Sequence, residues 1–209
     1  MAKGYFITGT DTNVGKTVLS ALLCASLPAR YWKPIQTGAL EGTDRRQVIA
    51  WAGIAEDQAL SETYLFDDPV SPHLAAERSG KEILLDAVAL PCAGPLPLVV
   101  EGAGGVLAPI NSDQFIADLI RHLRLPVVLA ARSTLGTINH TLMSLQVLHS
   151  YKIEVGGVVL IGPENPENRR AIEHFGRVQV IGHIPVLKTI DRQNLLQVFA
   201  ENFRREVFS

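Results

Sequence analysis

Only two cysteines occur in 209 residues, Cys24 and Cys92, and their spacing fits neither a metal knuckle nor a redox pair. Each reads as a small apolar side chain in a reducing compartment. An excess of one charge is also missing: the formal net charge of −2 gives no average field to draw the chain to nucleic acid or an anionic membrane. No apolar run approaches the roughly 18–20 residues that span a bilayer. The opening MAKGYFITG lacks the long apolar core of a secretory leader. None of the six histidines has a partner at metal-ligand spacing. The expectation is a soluble cytoplasmic protein with no nucleic-acid and no membrane partner.

Hydrophobic residues make up 47% of the chain and charged residues 19%, a composition that can fill a core and is unlike that of disordered segments. Short β-rich runs at 5–8, 30–34, 96–101, 126–131, 155–161 and 178–182 alternate with stretches of helical period at 16–27, 44–52, 81–90, 113–123, 137–150, 166–175 and 191–206. Several of the strand runs are almost continuously apolar, as strands covered by helices on both faces are. This alternation predicts an α/β fold, a doubly wound and mainly parallel sheet flanked by helices. The Pro-rich, acidic stretch 62–80 reads as a long surface loop, of a length that is often functional. With no repeat and no linker, residues 1–209 read as a single domain.

The stretch FITGTDTNVGKTVLSALL, residues 6–23, holds most of a phosphate-binding loop. The usual spacing, Gly, four residues, Gly-Lys-Thr, needs glycine at position 10, but Thr10 stands there and the glycine comes one step earlier at Gly9. The context is nevertheless that of a P-loop: an apolar strand, a turn, then a helix starting near Lys16. Backbone N–H groups of such a turn and the positive end of the helix favour phosphate. Gly15 permits close backbone approach. Lys16 is placed to reach the β- and γ-phosphates, and the Thr17 hydroxyl to ligate Mg²⁺. The crown, Thr10, Asp11, Thr12 and Asn13, is more polar than phosphate binding alone requires, which suits contact with a second reactant.

Glu101 ends the apolar run LPLVV and enters EGAGG, so a carboxylate stands at the carboxyl end of a strand where it can hold Mg²⁺. Gly102, Gly104 and Gly105 allow backbone to approach a γ-phosphate. Asp44 opens a helix, either as an N-terminal cap or dipole partner or as a ligand. In WKPIQTG, 32–38, Lys33 comes at a strand end fixed by Pro34, with Thr37 just beyond. It is either a solvated lysine or a charge aimed at a transferred phosphoryl group. Gly136 and Thr137 precede a long helix whose free N–H groups can bind an anion, unless Thr137 is simply its cap.

Taken in order, GTDTNVGKT, KPIQTG, Asp44, SPH at 71–73, VEGAGG and LGTINHT resemble the ATP-dependent dethiobiotin synthetase family over most of the chain. That family has its loop glycine one position early, as here. The resemblance implies a ligase of biotin biosynthesis. ATP and CO₂ act on 7,8-diaminononanoate through a carbamate and a carbamic–phosphoric anhydride, and the second amine closes the ureido ring. It implies catalytic roles for Lys33, Lys16 and Thr12. Nucleotide contacts fall on Asn13, Val14, Gly15, Lys16, Thr17, Val18, Asp44 and Glu101, on Gly102, Ala103 and Gly104, and on Ile161, Gly162, Pro185, Val186 and Leu187. Substrate contacts fall on Thr12, Lys33, Thr37 and Pro72, with Mg²⁺ held by Thr17, Asp44 and Glu101. The implied assembly is a homodimer in which Thr137, Ile138 and Asn139 reach the partner's substrate carboxylate.

Two positions depart from the family pattern. Asn13 stands where glutamate is frequent, which turns a charge contact into a neutral one. Ile161-Gly162 stands where Asn-Asp often reads the adenine ring, so weaker base discrimination is expected. A strong preference for ATP over CTP and GTP in kcat/KM would contradict that expectation. Two other classes remain on the sequence alone: a partition-type P-loop ATPase switch and a non-catalytic regulatory nucleotide-binding module. Asp11 stands where the partition-type switch carries an extra lysine, and the retained Lys16, Thr17, Lys33 and Glu101 speak for chemistry. An amidating ligase of corrin synthesis uses a similar loop but needs a glutamine-handling domain for which 209 residues leave little room.

Overall fold

A computed structural model describes residues 4–91 and 94–208, so Cys92 lies outside the described residues. The first half of the chain runs β1 (Gly4–Gly9), α1 (Lys16–Ser26), β2 (Arg30–Trp32), β3 (Ile35–Gln36), α2 (Asp44–Ala52), β4 (Ala59–Leu60), β5 (Tyr64–Leu65) and α3 (Pro72–Arg78). The second half runs β6 (Leu98–Gly105), α4 (Ile116–Leu123), β7 (Val127–Arg132), α5 (Thr137–Ser150), β8 (Val155–Ile161), α6 (Pro166–Gly176), β9 (Val180–Ile184) and α7 (Arg192–Asn202). Seven strands form one sheet in the order β4-β2-β6-β1-β7-β8-β9, and every pairing in it is parallel.

Alternation along the strands sorts side chains to two cores. Tyr5, Ile7, Tyr31, Val99 and Val128 pack beneath α1, α2 and α7, with Leu19, Val48 and Leu195 from those helices. Phe6, Trp32, Val100 and Leu129 point the other way, against Ile116, Leu145 and Ile172 of α4, α5 and α6. The doubly wound expectation is met.

From β1 the chain passes through α1 to β2, while β6 later inserts between β2 and β1, and β7 joins on β1's far side. Ligands in such sheets bind outside the carboxyl ends of strands where the winding reverses. Here that edge lies over β1, β2 and β6.

Several sequence expectations need correction. The stretch 62–80 is not a loop: β5 pairs with β3, and α3 starts with Pro72 in its first turn and buries Ala75 and Ala76. Residues 81–90 form no α-helix, only a single 3₁₀ turn at Leu85–Ala87. Ile83, Leu85 and Val88 are buried while Leu84 and Leu90 face solvent, a spacing no single helix stripe satisfies. The helix predicted at 113–123 starts at Ile116. Asn111 first forms a turn by accepting from the N–H groups of Asp113 and Gln114, and Asp118 then accepts from the Phe115 N–H. At the carboxyl end Asp191 caps α7 by accepting from the Asn194 N–H, and the α-helix closes at Asn202 rather than 206. The strand expected at 30–34 closes at Trp32, before Lys33 and the imino acid Pro34. The last strand runs two residues later than expected, Val180–Ile184.

A phosphate-loop cleft as the candidate active site

The early glycine has a local cause. A Cβ at Gly9 would lie 2.6 Å from Val14 Cγ2 and 2.9 Å from the Asp11 carbonyl oxygen, so the crown folds back onto a residue that must lack one. Gly15 then turns the chain into α1 at φ 97°, in the left-handed region. No side chain caps the N-terminus of α1, which leaves its first N–H groups to a ligand. The Lys16 ammonium donates to the Asp11 carbonyl at 3.0 Å across the loop. Burial pulls its pKa down to about 8, and Lys33 works in the same direction against the opposing pull of Glu101.

The carboxyl end of β6 carries Glu101, which is 1% exposed. Its Oε1 accepts from Thr17 Oγ1 at 2.8 Å, and its Oε2 accepts from the Tyr31 hydroxyl at 2.9 Å. Lys33 Nζ lies 3.5 Å from Oε1 and also ion-pairs with Asp44. Burial disfavours the Lys33 charge, but Glu101 and Asp44 outweigh it and raise the pKa above the ordinary lysine value. Lys33 is therefore a fixed cation that holds its proton. Asp44 is the first residue of α2, and the cap is its neighbour: Thr43 Oγ1 accepts from the Arg46 N–H at 3.3 Å. The Asp44 N–H in turn donates to Gln36 Oε1. With Thr43 as the cap, the Asp44 carboxylate turns to Lys33.

Lys16, Thr17, Lys33, Gln36, Asp44 and Glu101 line one cleft of about 770 Å³. Of the residues singled out from sequence, Thr12, Asn13, Gly15, Lys16, Thr17, Val18, Lys33, Thr37, Asp44, Pro72, Glu101, Ala103 and Gly104 line it. Val14 is buried beneath the loop, and Gly102 packs against Phe6, where an added Cβ would meet Phe6 Cε1 at 2.9 Å; neither lines the cleft. Ile161 also stands outside the lining, beneath the loop's second glycine: a Cβ on Gly15 would meet its Cδ1 at 2.9 Å. The N–H of Gly162 donates to the Ile184 carbonyl, and its own carbonyl accepts from His183 Nε2 at 2.8 Å. Pro185, Val186 and Leu187 follow on that neighbouring edge, with Val186 exposed. Thr137, Ile138 and Asn139 start α5 away from this chain's own cleft.

Sequence reasoning missed several contributors, among them Glu41, Gly42, Pro69, Val70 and Ala108 of the lining. Gln47 and Trp51 line the cleft from α2 at i+3 and i+7 from Asp44, a helical spacing that marks one face. Gln36 lies inside the WKPIQTG stretch already singled out. Arg132, at the end of β7, donates to Asp11 Oδ2 and the Thr12 carbonyl and ties down the crown. Nothing local to its sequence signals that contact.

Among the described residues no group of three or more His, Cys, Asp or Glu side chains comes together as a metal cluster. A metal here would draw on the Thr17 hydroxyl and the Glu101 and Asp44 carboxylates, hard oxygen donors of the kind Mg²⁺ takes beside phosphates. The Lys33 ammonium already acts as a counter-cation between the two carboxylates. The donor set fits that metal.

A family model described as an AAA domain matches residues 3–194. The ATP-dependent dethiobiotin synthetase BioD of Rhodopseudomonas palustris (strain HaA2) is 46% identical over 208 residues, covering 100% of this chain and 97% of that protein. The protein of the same name from Brucella ovis is 45% identical over 203 residues, 97% of this chain and 95% of its own length. Among solved structures, a ParA family ATPase from Chlorobium tepidum TLS superposes with a TM-score of 0.58 at 13% identity, over 96% of this chain and 93% of that one. That likeness shows a shared fold of parallel sheet and flanking helices.

Proposed function

We infer the chemistry of the cleft from the premise that this chain belongs to the ATP-dependent dethiobiotin synthetase family. It is an ATP-dependent cyclo-ligase that carboxylates 7,8-diaminononanoate with CO₂ and closes the ureido ring, and the switch and regulatory readings are not favoured. We propose that it does so as a single domain over residues 1–209. One amine adds to CO₂ and loses a proton to give a carbamate. A carbamate oxygen attacks the γ-phosphorus of ATP and ADP leaves. The second amine then attacks the carbonyl carbon of the mixed anhydride and loses a proton, the ring closes and phosphate departs.

Transfer of this kind asks a protein mainly for positioning and for charge where charge builds up. The α1 N-terminus and Lys16 cradle the β- and γ-phosphates. Lys33 meets the phosphoryl group as a second cation, already oriented by Glu101 and Asp44. Thr12 and Thr37 position the carbamate and diamine, beside Pro72. Thr17, Asp44 and Glu101 would hold magnesium, which when bound supplies neutralisation of phosphate charge. The observation that carries this reading is Lys33, 6% exposed and held between Asp44 and Glu101 in the cleft that Lys16 also lines.

Phosphate release measured with ATP, bicarbonate and diaminononanoate, omitting each in turn, tests the reading. Release that needs all three and yields a ureido product is expected. Release from ATP alone, undiminished without the diamine, would point to the switch reading instead.

We propose a homodimer as the working form. Leu135 is fully exposed and Met143 is exposed on the α5 side, next to Thr137–Asn139, whose place outside this chain's cleft suits contact with a partner's substrate. Sedimentation should find twice the chain mass, and a monomer at assay concentration would leave those three residues without a role. The free, buried Cys24 agrees with a reducing, cytoplasmic setting, which cell fractionation would check.

A further inference from the structure

Tyr31 belongs to a strand buried on both faces and is 0% exposed, yet it carries a hydroxyl that must find a partner. The sheet register supplies one. Tyr31 on β2 is level with Val99 on the parallel neighbour β6, so their side chains share a face. Glu101 lies two residues further along β6 on that same face, about 6.6 Å onward at the usual rise of a parallel strand. A phenol lying along the strand spans that gap, and its hydroxyl donates to Glu101 Oε2 at 2.9 Å. Oε1 is thereby the oxygen that faces Thr17 Oγ1 at 2.8 Å and Lys33 at 3.5 Å. Ile7 of β1 is level with Glu101 on the other side and offers no polar group to compete.

We propose that Tyr31 is a positioning residue for the reaction: its hydroxyl commits one oxygen of Glu101 to the protein, fixes the carboxylate's rotation, and presents the other oxygen to the metal–phosphate side of the cleft. The inference rests on the metal reading of Glu101 given above. Partners of this outer kind orient a ligand carboxylate and are commonly worth about 10- to 100-fold in metal affinity. A phenylalanine would keep the packing and remove only the donor.

The test is Mg²⁺-dependent binding of a fluorescent ATP analogue to Tyr31→Phe, with Tyr5→Phe as control. The Tyr5 hydroxyl donates to the Val207 carbonyl, so the control also loses a tyrosine hydroxyl bond, though not one to a cleft residue. The half-saturating Mg²⁺ concentration should rise about tenfold in Tyr31→Phe and stay unchanged in Tyr5→Phe. Affinity for the analogue in excess chelator should be the same in all three proteins, and kcat at saturating Mg²⁺ should fall far less than the Mg²⁺ response shifts. A Mg²⁺ response in Tyr31→Phe equal to that of the wild type, when the wild type itself responds, would overturn the role of Tyr31 alone. A wild type indifferent to Mg²⁺ would overturn the metal reading and this inference with it. Should Tyr31→Phe not fold, a structure of the wild type with Mg²⁺ and an ATP analogue decides: the Tyr31 hydroxyl still bonded to Glu101 Oε2 supports the proposal, and a carboxylate turned away from it contradicts it.

Discussion

Lys33→Ala should lower kcat by about 10²- to 10³-fold while nucleotide still binds. The expectation comes from where the ammonium sits. It lies at the carboxyl end of β2, buried to 6% exposure, and its charge is secured by Asp44 and Glu101. A cation so placed is oriented before the substrate arrives, and in the proposed mechanism it acts on negative charge that grows as the phosphoryl group passes to the carbamate. Bound ATP carries most of its charge into the ground state, where the proposal has Lys16 and the loop N–H groups meet it. Loss of Lys33 should therefore appear in kcat more than in the dissociation constant of the nucleotide. The variant also leaves the Asp44 and Glu101 carboxylates without their shared cation, so some loss of thermal stability should accompany the loss of rate. Turnover close to that of the wild type would remove Lys33 from the mechanism.

Glu101→Ala should raise the magnesium requirement for activity and cut kcat/KM by about two orders of magnitude at physiological Mg²⁺. One carboxylate accepts from Thr17, accepts from Tyr31 and faces Lys33. Its removal strands the buried Tyr31 hydroxyl, whose unmet hydrogen bond costs about 1–3 kcal/mol, so the melting temperature should fall as well. The two effects separate on titration. Excess Mg²⁺ should restore part of the activity and none of the stability of the ligand-free protein. An unchanged magnesium requirement would mark Glu101 as an ordinary strand-ending carboxylate.

How far the sequence reveals this site depends on the range of the interactions involved. The loop was legible because Gly15, Lys16 and Thr17 punctuate a strand-to-helix junction, and such punctuation is local. The extents of α2 and α5 were legible for the same reason: each begins just after a residue with a clear end signal, Thr43 and Gly136. The Tyr31–Glu101 bond joins residues 70 apart and exists only because β6 inserts beside β2. No periodicity predicts which strand inserts where. The stretch 62–80 misled because β5 is two residues long and α3 only seven, too short for a pattern to emerge. Their order comes from β3 and from burial of Phe66, Ala75 and Ala76, both tertiary. The segment 81–90 misled in the opposite way: it reads as a helix between strands, but the buried Ile83, Leu85 and Val88 do not fall on one helix face. The departure at Ile161-Gly162 was legible in the sequence, but not its packing. Ile161 lies against Gly15, and both backbone polar groups of Gly162 already have partners.

Two ammonium groups should converge on the bound triphosphate, and a crystal structure with Mg²⁺ and a non-hydrolysable ATP analogue tests this most directly. Lys16 and Lys33 should both lie within hydrogen-bond reach of the γ-phosphate oxygens. A γ-phosphate held by Lys16 alone, with Lys33 still enclosed by Asp44 and Glu101 and out of reach, would contradict the account.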